Sequence, residues 1–160
     1  ETYIGAAMKG DMLRVQTSAQ RDALKMVPEG TLLHNVADNC DYVRTPSGKW
    51  AKTRDTIAVA APYTSDRWWL SREWDTVIVS GSIKYNNSGQ QNHATAKETI
   101  PTGWRPYGDN HTGISYGIIG AVNANWCNFV RPDGVIIMLG NTEAHYSCVT
   151  GGWQCREWRD

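Results

Sequence analysis

The stretch Trp104-Arg105-Pro106-Tyr107-Gly108-Asp109-Asn110-His111 holds an indole, a guanidinium, a phenol, a carboxylate, an amide and an imidazole within eight residues. Sugar recognition needs that assortment. Flat aromatic faces stack against pyranose C–H bonds, and planar polar groups make paired hydrogen bonds with hydroxyls. The stretch is also loop-like, where binding residues concentrate. The alternative is packing, with Trp104 plugging the bottom of a β-structure and Arg105 pairing with a neighbour.

Three other clusters compete. Trp68, Trp69 and Trp74 form a second platform, with Arg67, Arg72 and Asp66 beside them to hold a charged or polyhydroxylated ligand. Trp126, beside Asn123, Asn125 and Asn128, is a third, and Trp153 with Arg156 and His145 a fourth. For Trp68, Trp69 and Trp74, anchoring a linker or lining a subunit interface are the competing roles. Eight Trp and seven Tyr stand against a single Phe. A core filled for packing alone would use more Phe, Leu and Ile, whereas Trp and Tyr are preferred where one edge stays wet. The candidate ligand-binding residues are therefore Trp68, Trp69, Trp104, Tyr107, Asp109, His111 and Trp126.

Catalytic signatures are lacking: there is no Gly-x-Ser-x-Gly elbow, His-Glu-x-x-His helix or Gly-rich phosphate loop. Glu73 with Asp75, and Asp109 with Glu143, are carboxylate pairs of the type glycoside hydrolysis uses, but a chain with sixteen acids offers such pairs by chance. Cys40, Cys127, Cys148 and Cys155 include no Cys-x-x-Cys pair, so no disulfide framework is forced. A hairpin on Gly151-Gly152 would bring Cys148 near Cys155, and with His145 would offer zinc ligands, though in no standard structural spacing. The reading is of a protein that is not an enzyme and has no metal and no cofactor. Asn86-Asn87-Ser88 and Asn110-His111-Thr112 match glycosylation acceptors and read as turn residues.

Sixteen basic residues balance sixteen acidic ones, which lacks the electrostatic footprint of a nucleic-acid binder. No apolar run approaches the ~20 residues that span a bilayer, and no signal peptide is read, so membrane insertion is not expected. The first residue is Glu1, which suggests a piece cut from a longer protein.

These side chains need a scaffold. Thr17 and Gln20 form a capping box, predicting a short helix that Pro28-Glu29-Gly30 ends. Thr31–Val36, Asp41–Thr45 and Lys49–Thr53 read as an antiparallel meander. Residues 54–75 read as loop and short strand, because the three indoles fit neither alternation nor a helical stripe. From Thr76 the chain is all-β: strands over 76–85, 95–100 and 113–122, a hairpin hinged on Asp133-Gly134, and a last hairpin on Gly151-Gly152. The fold class is mostly β, an antiparallel β-sandwich head (57–160) preceded by a helix-plus-meander module (1–56).

Two segments carry a family resemblance. Residues 17–53 resemble a small module common in bacteriophage tail and fibre proteins, with Tyr42-Val43-Arg44 departing by a charge where an apolar residue is frequent. Residues 76–140, with Ile100-Pro-Thr-Gly-Trp-Arg-Pro106 and then Arg131-Pro132-Asp133-Gly134, resemble phage receptor-binding tip domains. That resemblance implies a jelly-roll-like sandwich and a homotrimer on the distal tail of the virion, extracellular, with other tail proteins held through the N-terminus. It implies binding of host cell-surface polysaccharide or a teichoic-acid-like glycan, and it gives the aromatic of the Pro-rich segment a packing role. A tail-associated glycan depolymerase and a stand-alone lectin-like module are the alternatives.

Overall fold

A computed structural model describes residues 12–86, 89–108, 112–119, 125–142 and 146–158, with 112–119, 125, 126, 142, 146 and 147 described by backbone alone. The chain is mostly β and antiparallel in character, sandwich-like in its larger part, as the sequence predicts. It divides into two compact units, one made of the chain up to Asp55 together with Trp158 and the other spanning Thr56–Glu157.

The first unit is a four-stranded sheet, β1 (Leu13–Val15), β2 (Leu32–Asn35), β3 (Cys40–Arg44) and β4 (Trp50–Lys52), with one helix, α1 (Ser18–Ala23). A six-residue helix cannot hold itself together by propagation, so its cap matters. Thr17 Oγ1 accepts from the Gln20 amide at 3.2 Å, and Gln20 Oε1 accepts from the Thr17 amide at 3.2 Å. The meander is as expected, but β1, pairing parallel with β2, is an addition. Three residues are too few to show a period. Leu13, Val15, Leu24, Leu33 and Tyr42 form the core. The unexpected charge at Arg44 is buried: its guanidinium donates to the Lys25 carbonyl at 3.0 Å and lies 5.2 Å from the centre of the Trp50 ring.

The second unit holds β5 (Arg54–Ala60), β6 (Arg67–Glu73), β7 (Thr76–Lys84), β8 (Gly89–Thr99), β9 (Thr112–Ile119), β10 (Asn125–Val130), β11 (Val135–Thr142) and β12 (Tyr146–Gln154). They pair in the order β5-β6-β7-β12-β9-β10-β11-β8. Laid flat, seven strand spacings would separate the ends by about 34 Å. Yet Val59 and Leu70 near one end share a single core with Ala96, Ile136 and Met138 near the other. The sheet must therefore curl over on itself. Tyr63, between β5 and β6, donates its hydroxyl to Gln91 of β8 at 3.2 Å, tying the two ends together by side chains rather than by a ladder.

Three expectations are corrected. Residues 54–75 are two full strands rather than loop and short strand. β6 alternates strictly, with Trp68, Leu70 and Arg72 buried and Arg67, Trp69, Ser71 and Glu73 exposed. An outward indole and an inward guanidinium invert the usual hydropathy and hide that period. Gly151-Gly152 is not a hairpin: β12 runs unbroken through it, opposite Val79 and Ile78 of β7. A Cβ at Gly152 would lie 2.8 Å from the Val77 carbonyl oxygen, so glycine here permits close approach of strands. Cys148 and Cys155 are thus not folded together. The Asp133-Gly134 hairpin does form, but as a wider turn in which the Gly134 amide donates to the Arg131 carbonyl at 2.8 Å and only Gly134, at φ 85°, is left-handed. That is a turn followed by a glycine bulge.

Candidate functional site

β6 lies against β7 and β7 against β12, so their outward residues line up in rows. Trp69 stands opposite Ser80, which stands opposite Thr150; Ser71 stands opposite Ile78, which stands opposite Gly152. Trp69 is 51 % exposed and Ile78 56 %. The absence of a side chain at Gly152 leaves one flank of Ile78 open. The result is a patch in which an indole and a branched aliphatic are set among hydroxyls, with Arg67 and Glu73 exposed on the same face of β6.

Trp74 begins the two-residue turn between β6 and β7 and is 50 % exposed, with φ at 53°. Left-handed backbone is an outlier for so bulky a residue and persists only when neighbours impose it. Arg72 imposes it. The buried guanidinium donates from Nε to the Trp74 carbonyl at 2.6 Å, and from Nη1 to the Gly103 carbonyl and to the Glu157 carbonyl at 2.8 Å. The Cys155 amide then donates to the Asp75 carbonyl at 2.6 Å.

The Pro-rich bend carries the chain from end strand β8 towards interior strand β9. Trp104 is 5 % exposed, and its carbonyl accepts from Trp153 Nε1 at 2.8 Å. Tyr107 emerges beyond it, 53 % exposed, its amide donating to the Gln154 carbonyl at 2.7 Å. The Arg156 guanidinium sits 3.8 Å from its ring centre. Because Gln154 is the register partner of Thr76, Tyr107 and Trp74 stand at the same end of the sheet.

The residues proposed from sequence are therefore sorted by burial. Trp69 and Tyr107 are available to a ligand. Trp68 is fully buried and Trp104 nearly so, and both belong to the core; neither can present a face. Arg72 is buried and holds backbone carbonyls, so it is not poised for a ligand as the second platform supposed, whereas Asp66 is exposed and accepts from the Lys84 amide at 2.8 Å. Trp153 is core as well, and Asn128, of the third cluster, is fully buried. Asp109, His111, Asn123, Glu143 and His145 lie outside the described residues, as does the Trp126 side chain. Burial pushes the Cys127 thiol up, favouring its protonated form.

A second feature was not visible in sequence. Where the ends of the sheet meet, a cleft of about 430 Å³ is lined by Tyr63, Thr64, Asn86, Thr95, Glu98 and Met138, among others. No periodic signal marks it, since residues from four separate segments converge there only when the sheet curls.

The chain matches no protein-family model, and no curated protein matches it in sequence.

Proposed function

We propose that this chain is the receptor-binding tip of a bacteriophage tail fibre, holding host-surface carbohydrate through Trp69, Trp74 and Tyr107. The observation that carries the reading is the division of neighbouring indoles on β6: Trp68 fills the core, while Trp69, one residue on, and Trp74 at the turn present half their surface to solvent. Indoles held outward on a stiff antiparallel scaffold lose little entropy when a sugar ring stacks on them. The Pro-rich bend and the Asp-Gly hairpin, in that order, support the placement on a phage tail.

The function is attachment, with no bond broken. A shallow aromatic patch binds one glycan weakly, and three copies around a fibre axis, repeated over several fibres, multiply the effective concentration. In this reading the first unit joins the tip to the rest of the tail, and the particle meets a polysaccharide or teichoic-acid-like polymer outside the cell.

The test is binding to a host-glycan array and to whole cells, comparing the wild type with Trp69→Ala and Trp74→Ala. Loss of binding at unchanged melting temperature supports the reading. Binding that survives both substitutions, or release of reducing ends from the polysaccharide, overturns it.

A further inference from the structure

The cleft where the ends of the sheet meet is built by a specific irregularity. Val135 of β11 pairs with Thr99 of β8 and Ile137 pairs with Thr95, so Ala96, Lys97 and Glu98 together face the single residue Ile136. This is a bulge of two extra residues in an end strand, a device that re-aims side chains and gathers beside binding sites. Its effect here is chemical. Ala96 and Ile100 point to the core, and Glu98, in phase with them, is turned to the same side. The Glu98 side chain is only 14 % exposed, and its ion-pair partner among the described residues, Lys97, lies 3.9 Å away with a side chain 92 % exposed. A contact so long and so wet is screened by solvent and neutralises little.

The rest of the lining combines apolar, aromatic and neutral polar groups, with Lys97 beside Glu98. Met138 and Ala96, both buried, form an apolar floor. Tyr63 supplies an aromatic wall, held at φ 54° by the Asn86 amide donating to its carbonyl at 2.7 Å. Asn86 and Thr95 bring an amide and a hydroxyl to the rim, beside Thr64, whose own hydroxyl donates to the Lys84 carbonyl and accepts from the Asp66 amide. A sequestered carboxylate, an aromatic wall and an apolar floor, in a volume typical of small-ligand sites, suit a molecule with one apolar face and adjacent hydroxyl donors.

We propose that this cleft holds a single pyranose unit, with Glu98 accepting hydrogen bonds from adjacent sugar hydroxyls. The assignment rests on the carbohydrate reading above and refines it: the outward indoles supply broad attachment, and the cleft decides which sugar is held.

The experiment is saturation-transfer NMR and calorimetric titration of the whole chain with glucose, galactose and N-acetylglucosamine, each as the free monosaccharide. One of the three is expected to bind, and Glu98→Gln is expected to weaken it about tenfold, as losing a charged acceptor does. Thr95→Trp, at the exposed rim, fills the cleft from outside the core and is expected to abolish it. Should Glu98→Gln prove unstable, Thr95→Trp alone decides. If none of the sugars binds, or if binding is indifferent to a folded Glu98→Gln and to Thr95→Trp, the proposal falls. The two readings fail separately: cell attachment that depends on Trp69 but not on the cleft variants leaves the aromatic patch standing and removes the cleft. The reverse pattern keeps the cleft and removes the patch.

Discussion

Arg72 donates from Nε to the carbonyl of Trp74, two residues further along the chain, at 2.6 Å. A guanidinium buried in the unit thereby fixes the turn that presents an exposed indole. The same group reaches the carbonyls of Gly103 and Glu157, so the turn, the Pro-rich bend and the end of the unit are set by one side chain.

Arg72→Met should therefore destabilise the unit by about 3 kcal/mol, because several buried carbonyls lose their donors together. Arg72→Lys should restore only part of this, since an ammonium cannot reproduce the planar fork. Denaturant unfolding followed by tryptophan fluorescence measures both.

Adjacent indoles on β6 should behave oppositely. Trp68→Ala empties the centre of the core and should cost about 3–5 kcal/mol. Trp69→Ala removes a surface group and should change stability by less than about 0.5 kcal/mol while abolishing attachment to cells. Melting curves beside a cell-binding assay check the pair.

Gly134→Ala should destabilise by about 2 kcal/mol or more. The residue sits at φ 85°, and an added Cβ would meet the Ile100 carbonyl oxygen and lie 2.7 Å from Arg105 Nε. Gly30→Ala, also left-handed but with nothing near the added atom, should cost less, about 1 kcal/mol. Chemical denaturation of the two variants gives the comparison.

The first unit should respond to pH at both extremes through one contact. The Tyr42 hydroxyl donates to Asp38 Oδ2 at 2.5 Å and holds that carboxyl below the usual aspartate value. Burial, and then the bond to Asp38, pushes the Tyr42 phenol up. A lowered carboxyl contributes stability that is complete above pH about 4 and is lost as pH falls through its folded value. A raised phenol contributes stability that is complete below pH about 10 and is lost as pH rises towards its folded value. Wild type should thus lose more stability than Tyr42→Phe on alkaline titration. Urea midpoints for both proteins across pH test this.

Where local chemistry decided the structure, the sequence was readable. Thr17 and Gln20 announced α1, and Asp133-Gly134 announced its hairpin, because caps and turns are settled by near neighbours. β6 was opaque because the partners that justify an inward Arg72 are Gly103 and Glu157, far along the chain. Gly151-Gly152 read as a turn because the reason for it, the approach of β7, is likewise non-local. The site followed the same rule. Trp68 and Trp69 are alike in sequence, and a strand sends successive side chains to opposite faces, so only the phase of β6 tells core from surface. Nothing in the spacing of Tyr63, Asn86 and Glu98 foretold their convergence.

The manner in which the curled sheet meets itself has a consequence for its motion. β5 and β8 end the strand order and, among the described residues, are joined by side chains such as Tyr63 and Gln91 rather than by paired amides. A join of that kind can part and reseal without breaking a ladder, so this border should open far more often than the body of the sheet. Deuterium should accordingly enter the backbone of β8 well before that of β12, which is clasped by a strand on either side.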